Sequence, residues 1–233
     1  MTAPKDRLIV ALDVPSPDEA RALAERLAPA AGVFKIGLEL LFAGGGELAR
    51  DLSGEGSKVF IDAKLLDIPQ TVERATTIIA RLGANFLTVH GHDAKTLEAA
   101  CRGRDSRDMK LLAVTVLTSL DRADLEQQGT QMAPRDLVLR RALLARESGF
   151  DGVVASGHEA AAIRKELGED FLIVTPGIRP AGAGTQDQAR VTTPADAIAA
   201  GADYLVVGRP ITKAPDPLAA AKQIVSQIKQ AAS

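Results

Sequence analysis

Three charged residues, Asp62, Lys64 and Asp67, follow one another closely where an apolar, β-branched run ends. Because alternate side chains of a strand lie on the same face, Asp62 and Lys64 should point together into one space. A lone buried charge is costly, so these residues are expected to be paired, and Lys35, in another apolar run, is a further partner for Asp62. The pattern predicts an alternating chain of lysines and aspartates that keeps one lysine charged and fixed as a proton donor.

Residues suited to binding phosphate accompany this charged group. Arg179 and Arg209 offer forked N–H donors that match phosphate oxygens, and Gly208 lets backbone N–H groups approach an anion. Gln188 is expected to close over the ligand, because it lies in a long irregular stretch, 177–193, of a length that is usually functional. For these phosphate-binding residues, the alternative is that the glycines only turn the chain and that the arginines are solvated. For the charged residues, the alternative is a structural salt-bridge network, although such buried networks rarely improve stability.

His90-Gly91-His92-Asp93 is a separate candidate site, since two histidines and a carboxylate can bind zinc. Residues two apart at the end of a strand do not reliably converge on one ion. Hydrogen bonding at the strand end is therefore the preferred interpretation, and no metal site is predicted.

The elements that must position these residues alternate regularly along the chain. Helical patterns separate eight short apolar runs that predict strands at 8–12, 33–36, 58–63, 86–89, 111–117, 152–155, 171–175 and 204–207. Each strand is too apolar to leave one face in water, which indicates a parallel sheet covered on both sides. Eight such units predict an α/β fold, a single-domain (β/α)8 TIM barrel over residues 1–233, with the second helix divided at glycines 44–46.

In such barrels the chemistry takes place at the carboxyl ends of the strands. Polar residues lie at those ends and not at the opposite ones: Asp13 after the first strand, Lys35 in the second, Asp62 and Lys64 in the third, Thr118-Ser119 after the fifth, Arg179 after the seventh and Arg209 after the eighth. One site at the mouth of the barrel is therefore expected.

Composition excludes several other classes of function. The net charge is −2, and with 3% aromatic residues and no tryptophan, nucleic-acid binding through a basic surface or base stacking is not expected. No apolar run approaches the roughly 18 residues of a membrane-spanning helix, and the start has no signal-peptide pattern. The single cysteine, Cys101, suits a reducing compartment. We expect a cytoplasmic protein that binds a small molecule, without nucleic-acid or membrane partners.

The segment 62–71, Asp-Ala-Lys-Leu-Leu-Asp-Ile-Pro-Gln-Thr, resembles the signature of the orotidine 5'-phosphate decarboxylase family. Other blocks resemble that family's in the same order, namely 12–13, 34–37, 114–119, 175–180 and 207–212. The resemblance therefore covers nearly the whole chain.

The resemblance implies that orotidine 5'-phosphate loses carbon dioxide to give uridine 5'-phosphate (UMP), the last step of pyrimidine nucleotide synthesis, with no metal or organic cofactor. It implies that Lys64 protonates the carbon that lost carbon dioxide, and that Asp62 lies near the departing carboxylate in a charged chain with Lys35 and Asp67. The implied substrate contacts are Asp13, Lys35 and Asp62 near the ribose and the reacting carbon, Thr118 or Ser119 at the pyrimidine, and Arg179, Gln188, Gly208 and Arg209 at the phosphate. It also implies a homodimer in which Asp67 and Thr71 enter the neighbouring subunit's site.

Two other functions remain as alternatives. Magnesium-dependent keto-sugar-phosphate decarboxylases and hexulose-phosphate synthases of the same barrel type resemble the motif, but Ile68-Pro69 and the block 175–179 argue against them. A non-catalytic nucleotide-binding barrel would keep Arg179 and Arg209 but would not need the charged chain.

Overall fold

The computed structural model describes residues 3–104, 108–180 and 191–232, which contain eight strands, eleven α-helical segments, a 3-10 helix at Pro4–Arg7 and a π-helical turn at Leu41–Gly45. The strands are β1 Leu8–Ala11, β2 Val33–Ile36, β3 Lys58–Leu65, β4 Phe86–His90, β5 Lys110–Val114, β6 Gly152–Val154, β7 Leu172–Thr175 and β8 Tyr204–Val207. The helices are α1 Pro17–Leu27, α2 Leu38–Leu40, α3 Gly46–Gly54, α4 Pro69–Arg81, α5 Ala94–Gly103, α6 Arg122–Gln127, α7 Pro134–Glu147, α8 Gly157–Leu167, α9 Pro194–Ala199, α10 Arg209–Thr212 and α11 Pro217–Ala231. No helix in these ranges is both long and apolar enough to cross a membrane.

The strands form a closed parallel barrel in which each strand pairs with its neighbours in sequence. Closure comes from β1, where Ile9 lies opposite Val33 of β2 on one side and Val206 of β8 on the other. The (β/α)8 fold predicted from the alternating runs is confirmed, and all eight predicted strands are present.

Apolar side chains fill two layers of the barrel. The inner layer lies inside the ring of strands and consists of Ile9, Val33, Phe60, Phe86, Leu112 and Val174. The outer and larger layer, which includes Ile61, packs the strands against the helices. Because Phe60 faces inward and its neighbour Ile61 faces outward, Asp62 is directed inward again, above a packed floor.

The helical segment after β2 is divided, as the three glycines predict. A π-helical turn, Leu41–Gly45, separates α2 from α3. Gly44 has a φ of 101°, a left-handed conformation that side chains disfavour, so a glycine is needed at this kink. α2 lies at the barrel mouth, where Leu38 and Glu39 line a cavity.

β5 ends at Val114, three residues before the end predicted from its apolar run. The Arg141 side chain donates a hydrogen bond to the Thr115 carbonyl, so this acceptor is bonded to a side chain instead of continuing the strand. Val116, Leu117 and Thr118 turn across the mouth and line the cavity instead. The apolar character of Val116 and Leu117 reflects a cavity wall, which periodicity alone does not distinguish from a strand.

Candidate active site

The carboxyl ends of the strands surround a cavity of about 560 Å³. It brings together most of the site residues predicted from sequence, namely Asp13, Lys35, Asp62, Lys64, Thr118, Arg179, Gly208 and Arg209. Phe60 and Val206 also line it, so the inner apolar layer of the barrel forms its floor. A small molecule in this cavity would contact charged groups at several strand ends at once.

An alternating set of charges, Asp13, Lys35, Asp62 and Lys64, is the central feature of the cavity. The Asp62 Oδ2 atom lies 2.8 Å from Lys64 Nζ and 3.4 Å from Lys35 Nζ, and Lys35 Nζ also lies 3.1 Å from Asp13 Oδ1. The side chains of Lys35 and Asp62 are only 8% and 12% exposed, whereas that of Asp13 is 53% exposed. The predicted pairing of Asp62 with both lysines is confirmed, and the chain of charges runs from the rim into the barrel.

The backbone that brings Lys64 to Asp62 is a bulge and not a regular strand. The register between β3 and β4 shifts between Ile61 and Leu65. Lys64 has a φ of 48°, and is the one non-glycine residue with a positive φ in the part of the chain that the structure describes. The prediction that the two side chains meet is therefore correct, but regular alternation is the wrong reason for it. Such strained backbone is typical of functional sites.

The ionisation of Asp62 follows from its neighbours. Burial disfavours its charged form, but Lys35 and Lys64, with hydrogen bonds from Lys64 and Thr88, outweigh the burial and hold the pKa of Asp62 below its usual range. Asp62 is thus a carboxylate at neutral pH. Its charge keeps both ammonium groups in place at the floor of the cavity.

Gly37 was not singled out by its chemistry, yet it borders the charged chain closely. A Cβ added there would lie 2.9 Å from Lys35 Nζ and 3.1 Å from Asp13 Oδ1. A side chain would therefore occupy the space of the ion pair between these two residues. Glu39 and Lys213 line the cavity as well and were also missed. Only the shape of the cavity reveals them, since neither lies at the end of a strand.

The two arginines that line the cavity, Arg179 and Arg209, differ in burial. Arg179 is 7% exposed, and one of its guanidinium nitrogens donates to the Ile178 carbonyl at 2.9 Å. Its backbone N–H donates to the Thr192 carbonyl, which joins the two ends of the stretch 177–193 at its base. Arg209 is exposed at the start of α10.

Gly208 lies beside Asp13 in the cavity lining, where a Cβ would be at ordinary contact distance, 3.7 Å, from Asp13 Oδ2. Thr118 lines the cavity, whereas Ser119 is exposed and does not. Gln188 lies outside the described residues. The geometry therefore favours Thr118 over Ser119 as the contact for a ligand.

Asp67 and Thr71 do not join this cavity. Both are exposed, and the Asp67 Oδ1 atom accepts a hydrogen bond from the Ile68 N–H at 2.6 Å just before α4 begins. Within one chain the charged set is therefore Asp13, Lys35, Asp62 and Lys64, and Asp67 stands apart from it.

The rings of His90, the last residue of β4, and His92 lie face to face. The rings of His90 and His92 stack with centroids 4.9 Å apart and planes 9° apart. Asp93 caps α5 by accepting a hydrogen bond from the Thr96 N–H. Burial, and then the neighbouring His92, lower the pKa of His90 to about 4. In the described ranges, no group of three or more His, Cys, Asp or Glu side chains is arranged to hold a metal ion.

Comparison with known proteins agrees with this geometry. A sequence model of the family described as orotidine 5'-phosphate decarboxylase / HUMPS matches residues 6–224. The chain belongs to this family. Because the description of the family combines two names, the names of individual relatives indicate more narrowly which proteins this chain resembles.

Curated relatives of high identity carry the name orotidine 5'-phosphate decarboxylase. One from Methylobacterium sp. (strain 4-46) is 57% identical over 231 residues, and one from Methylobacterium nodulans is 55% identical over 232 residues; each comparison covers 98% of both chains. The crystal structure of orotidine 5'-phosphate decarboxylase from Lactobacillus acidophilus, at 36% identity, superposes with a TM-score of 0.84 over 95% of this chain and 98% of that one. The likeness thus extends over the whole barrel.

Proposed function

We propose that this protein decarboxylates orotidine 5'-phosphate to UMP and carbon dioxide, in de novo pyrimidine nucleotide synthesis, without a metal or organic cofactor. The observation that carries the proposal is the placement of Asp62 between Lys35 and Lys64 at the floor of a cavity that Arg179 and Arg209 also line. Relatives with the decarboxylase name, at 57% and 55% identity, support the choice of substrate.

Lys64 is the proposed proton donor. When the bond to the carboxyl group breaks, carbon dioxide leaves and the electron pair stays on the ring carbon. The ammonium of Lys64 stabilises that negative charge and then transfers a proton to the carbon, which gives UMP and a neutral amine. A preorganised charge in a cavity with little water stabilises a developing carbanion far more than the same charge in water.

Asp62 and Lys35 are proposed to hold the Lys64 ammonium in position for proton transfer. Since Asp62 is ionised, it fixes the ammonium of Lys64 at 2.8 Å and places negative charge beside the substrate's carboxylate, which disfavours the ground state. Lys35 forms ion pairs with both Asp62 and Asp13. Lys35 and Asp13, at the outer end of this set of charges, are the proposed ribose contacts.

The remaining substrate contacts are proposed from position. Thr118 serves the pyrimidine, and the phosphate is held by Arg179, Gln188, Gly208 and Arg209. Arginine matches phosphate oxygens through paired N–H donors. Because the phosphate lies far from the reacting carbon, its binding energy is available to order the charged chain, and so raises the rate as well as the affinity.

We also propose a homodimer in which Asp67 and Thr71 of each chain complete the partner's site. Two observations support it: both residues are exposed and outside their own cavity, and the apolar side chains of Leu66 and Ile68 beside them are 51% and 66% exposed. Exposed apolar groups next to polar ones are typical of protein interfaces.

A cytoplasmic location is part of the proposal, supported by the presence of a single cysteine, Cys101, which excludes an internal disulfide.

A magnesium-dependent lyase of the same barrel type is disfavoured by the groups around Asp62. Magnesium ions bind carboxylates, phosphates and water, whereas two ammonium groups already occupy the neighbourhood of the Asp62 carboxylate. The relatives that match at high identity carry the decarboxylase name.

The test is to incubate the purified protein with orotidine 5'-phosphate, with and without excess chelator, and to identify the product. Conversion to UMP at the same rate in both samples is expected. Failure to form UMP would contradict the substrate assignment. Loss of activity with the chelator, restored by added magnesium, would contradict cofactor independence and favour the metal-dependent alternative.

A further inference from the structure

We infer that Thr88 is a positioning residue for catalysis, whose hydroxyl group holds the Lys64 bulge and the Asp62 carboxylate in one fixed arrangement. The inference rests on the proposed decarboxylase function. Thr88 lies in β4, is fully buried and does not line the cavity, so it acts through Asp62 and Lys64 and not by touching substrate.

Two hydrogen bonds join Thr88 to the catalytic strand. The Lys64 backbone N–H donates to Thr88 Oγ1 at 3.0 Å, and Thr88 Oγ1 donates to Asp62 Oδ1 at 2.8 Å. The directions are fixed, since a backbone N–H only donates and an ionised carboxylate only accepts. The single hydroxyl proton is therefore committed to Asp62, and a hydroxyl oxygen is required to satisfy both groups at once.

The backbone bond explains how β3 tolerates its bulge. The pairing of β3 with β4 is interrupted between Ile61 and Leu65, so the Lys64 N–H cannot use the regular ladder there. Thr88 supplies the acceptor in its place and stabilises Lys64 at its φ of 48°. An N–H left unpaired here would destabilise the folded chain, so the hydroxyl removes one cost of this conformation.

Because of the second bond, the two oxygens of the Asp62 carboxylate bind different partners. Oδ1 is held by Thr88, which leaves Oδ2 for the ammonium groups of Lys64 and Lys35. The charged or titratable groups that act on Asp62 from the strands around it are thus Lys35 on β2, Lys64 on β3 and, more distantly, His90 on β4. Without the hydroxyl, the Oδ1 atom of Asp62 is no longer held, and the charged form of Asp62 loses one hydrogen bond.

The test compares Thr88→Val, which replaces the hydroxyl by a methyl group, with Thr88→Ser, which keeps it. For Thr88→Val we expect kcat for orotidine 5'-phosphate to fall about 10- to 100-fold, as for a lost hydrogen bond to a charged group, with little change in KM. The acid limb of its pH–kcat profile should move to higher pH, because Asp62 becomes easier to protonate. Thr88→Ser should restore both the rate and the profile.

A matched control is Thr76→Val, since Thr76 is also fully buried but its Oγ1 atom has no hydrogen-bond partner among the residues that the structure describes. It should leave kcat and the pH profile unchanged. If Thr88→Val does not fold, Thr88→Ala removes the hydroxyl without adding bulk and carries the same expectation.

Three results would overturn the inference: wild-type kcat and acid limb in the folded variant without the hydroxyl, a Thr88→Ser enzyme as impaired as Thr88→Val, or an equal loss in Thr76→Val. The wild-type protein in the same assay separates this failure from a failure of the proposed function. If the wild type forms no UMP, the function is wrong; if it forms UMP and Thr88→Val matches it, only the role of Thr88 is wrong.

Discussion

Asp62 connects the lysines of the cavity, since its carboxylate lies within 3.4 Å of both Lys35 and Lys64. These pairs were predictable, because a buried charge requires a partner and the three residues end neighbouring strands. The bulge at Lys64 and its bond to Thr88 were not. Their cause lies in the register between two strands, which the sequence of either strand alone does not contain.

At the residue scale, Gly37→Ala should disturb catalysis although it removes no polar group. The new Cβ would lie 2.9 Å from Lys35 Nζ and would displace that ammonium from Asp13. We expect kcat/KM to fall up to about 100-fold, the effect of misplacing a site residue by roughly 1 Å. Steady-state kinetics check this, with Gly46→Ala as the control, since a Cβ at Gly46 meets no atom of the described residues within 4 Å. Equal kinetics for the two variants would contradict the role of Gly37.

His90 should contribute to the pH dependence of stability. Its pKa in the folded protein is lowered to about 4 from 6.5, first by burial and then by His92, so between these pH values the unfolded chain binds the extra proton. Stability therefore falls as pH drops from about 6.5 to about 4. His90→Gln should make the decline of Tm over this window shallower than in the wild type. Parallel Tm curves for the two proteins would rule out this contribution.

At the scale of elements, the strands were predicted well and the short helices were not. Runs of buried apolar residues mark β1 to β8 because both faces of a parallel sheet are covered. α6, α9 and α10 have four to six residues each, too few for a periodic pattern. A signal for α6 was present: Asp121 and Asp124 form a reciprocal capping box at its start.

The loops after β7 and β8 are the elements on which phosphate binding is proposed to depend. Arg209→Ala should therefore lower kcat/KM by an amount equivalent to about 2–3 kcal/mol of transition-state stabilisation, as for a lost charge-assisted contact. Arg135→Ala, another exposed arginine that lies outside the cavity, is the matched control and should have wild-type kinetics. The two variants are compared in steady-state assays with orotidine 5'-phosphate. An Arg209→Ala enzyme of unchanged efficiency would contradict the assignment of the phosphate end.

At the scale of the whole molecule, closure of the barrel explains how residues as distant as Asp13 and Arg209 reach one cavity. This convergence was predictable, because in a (β/α)8 fold every strand ends at the same face. The positions of Asp67 and Thr71 show the limit of that reasoning. Both follow β3, the strand that carries Asp62 and Lys64, yet they lie outside the cavity of their own chain.

A shared site predicts that two inactive variants restore activity together. Lys64→Ala and Asp67→Ala should each be inactive alone. In a co-expressed mixture, random pairing makes half the dimers hybrid, and each hybrid has one site with Lys64 from one chain and Asp67 from the other. Roughly a quarter of wild-type activity is expected, as the symmetry of a two-fold dimer requires. A mixture as inactive as its components, or an active Asp67→Ala protein, would contradict the shared site.

The most direct test of the central claim is single-turnover conversion of orotidine 5'-phosphate by wild-type and Lys64→Ala protein, followed by ultraviolet absorbance in the presence of a chelator. Lys58→Ala, an exposed lysine at the opposite end of the same strand, is the control. We predict conversion to UMP by the wild type and by Lys58→Ala, and no conversion by a Lys64→Ala protein with unchanged circular dichroism. A flat trace for the wild type, or normal turnover by folded Lys64→Ala, would contradict the account.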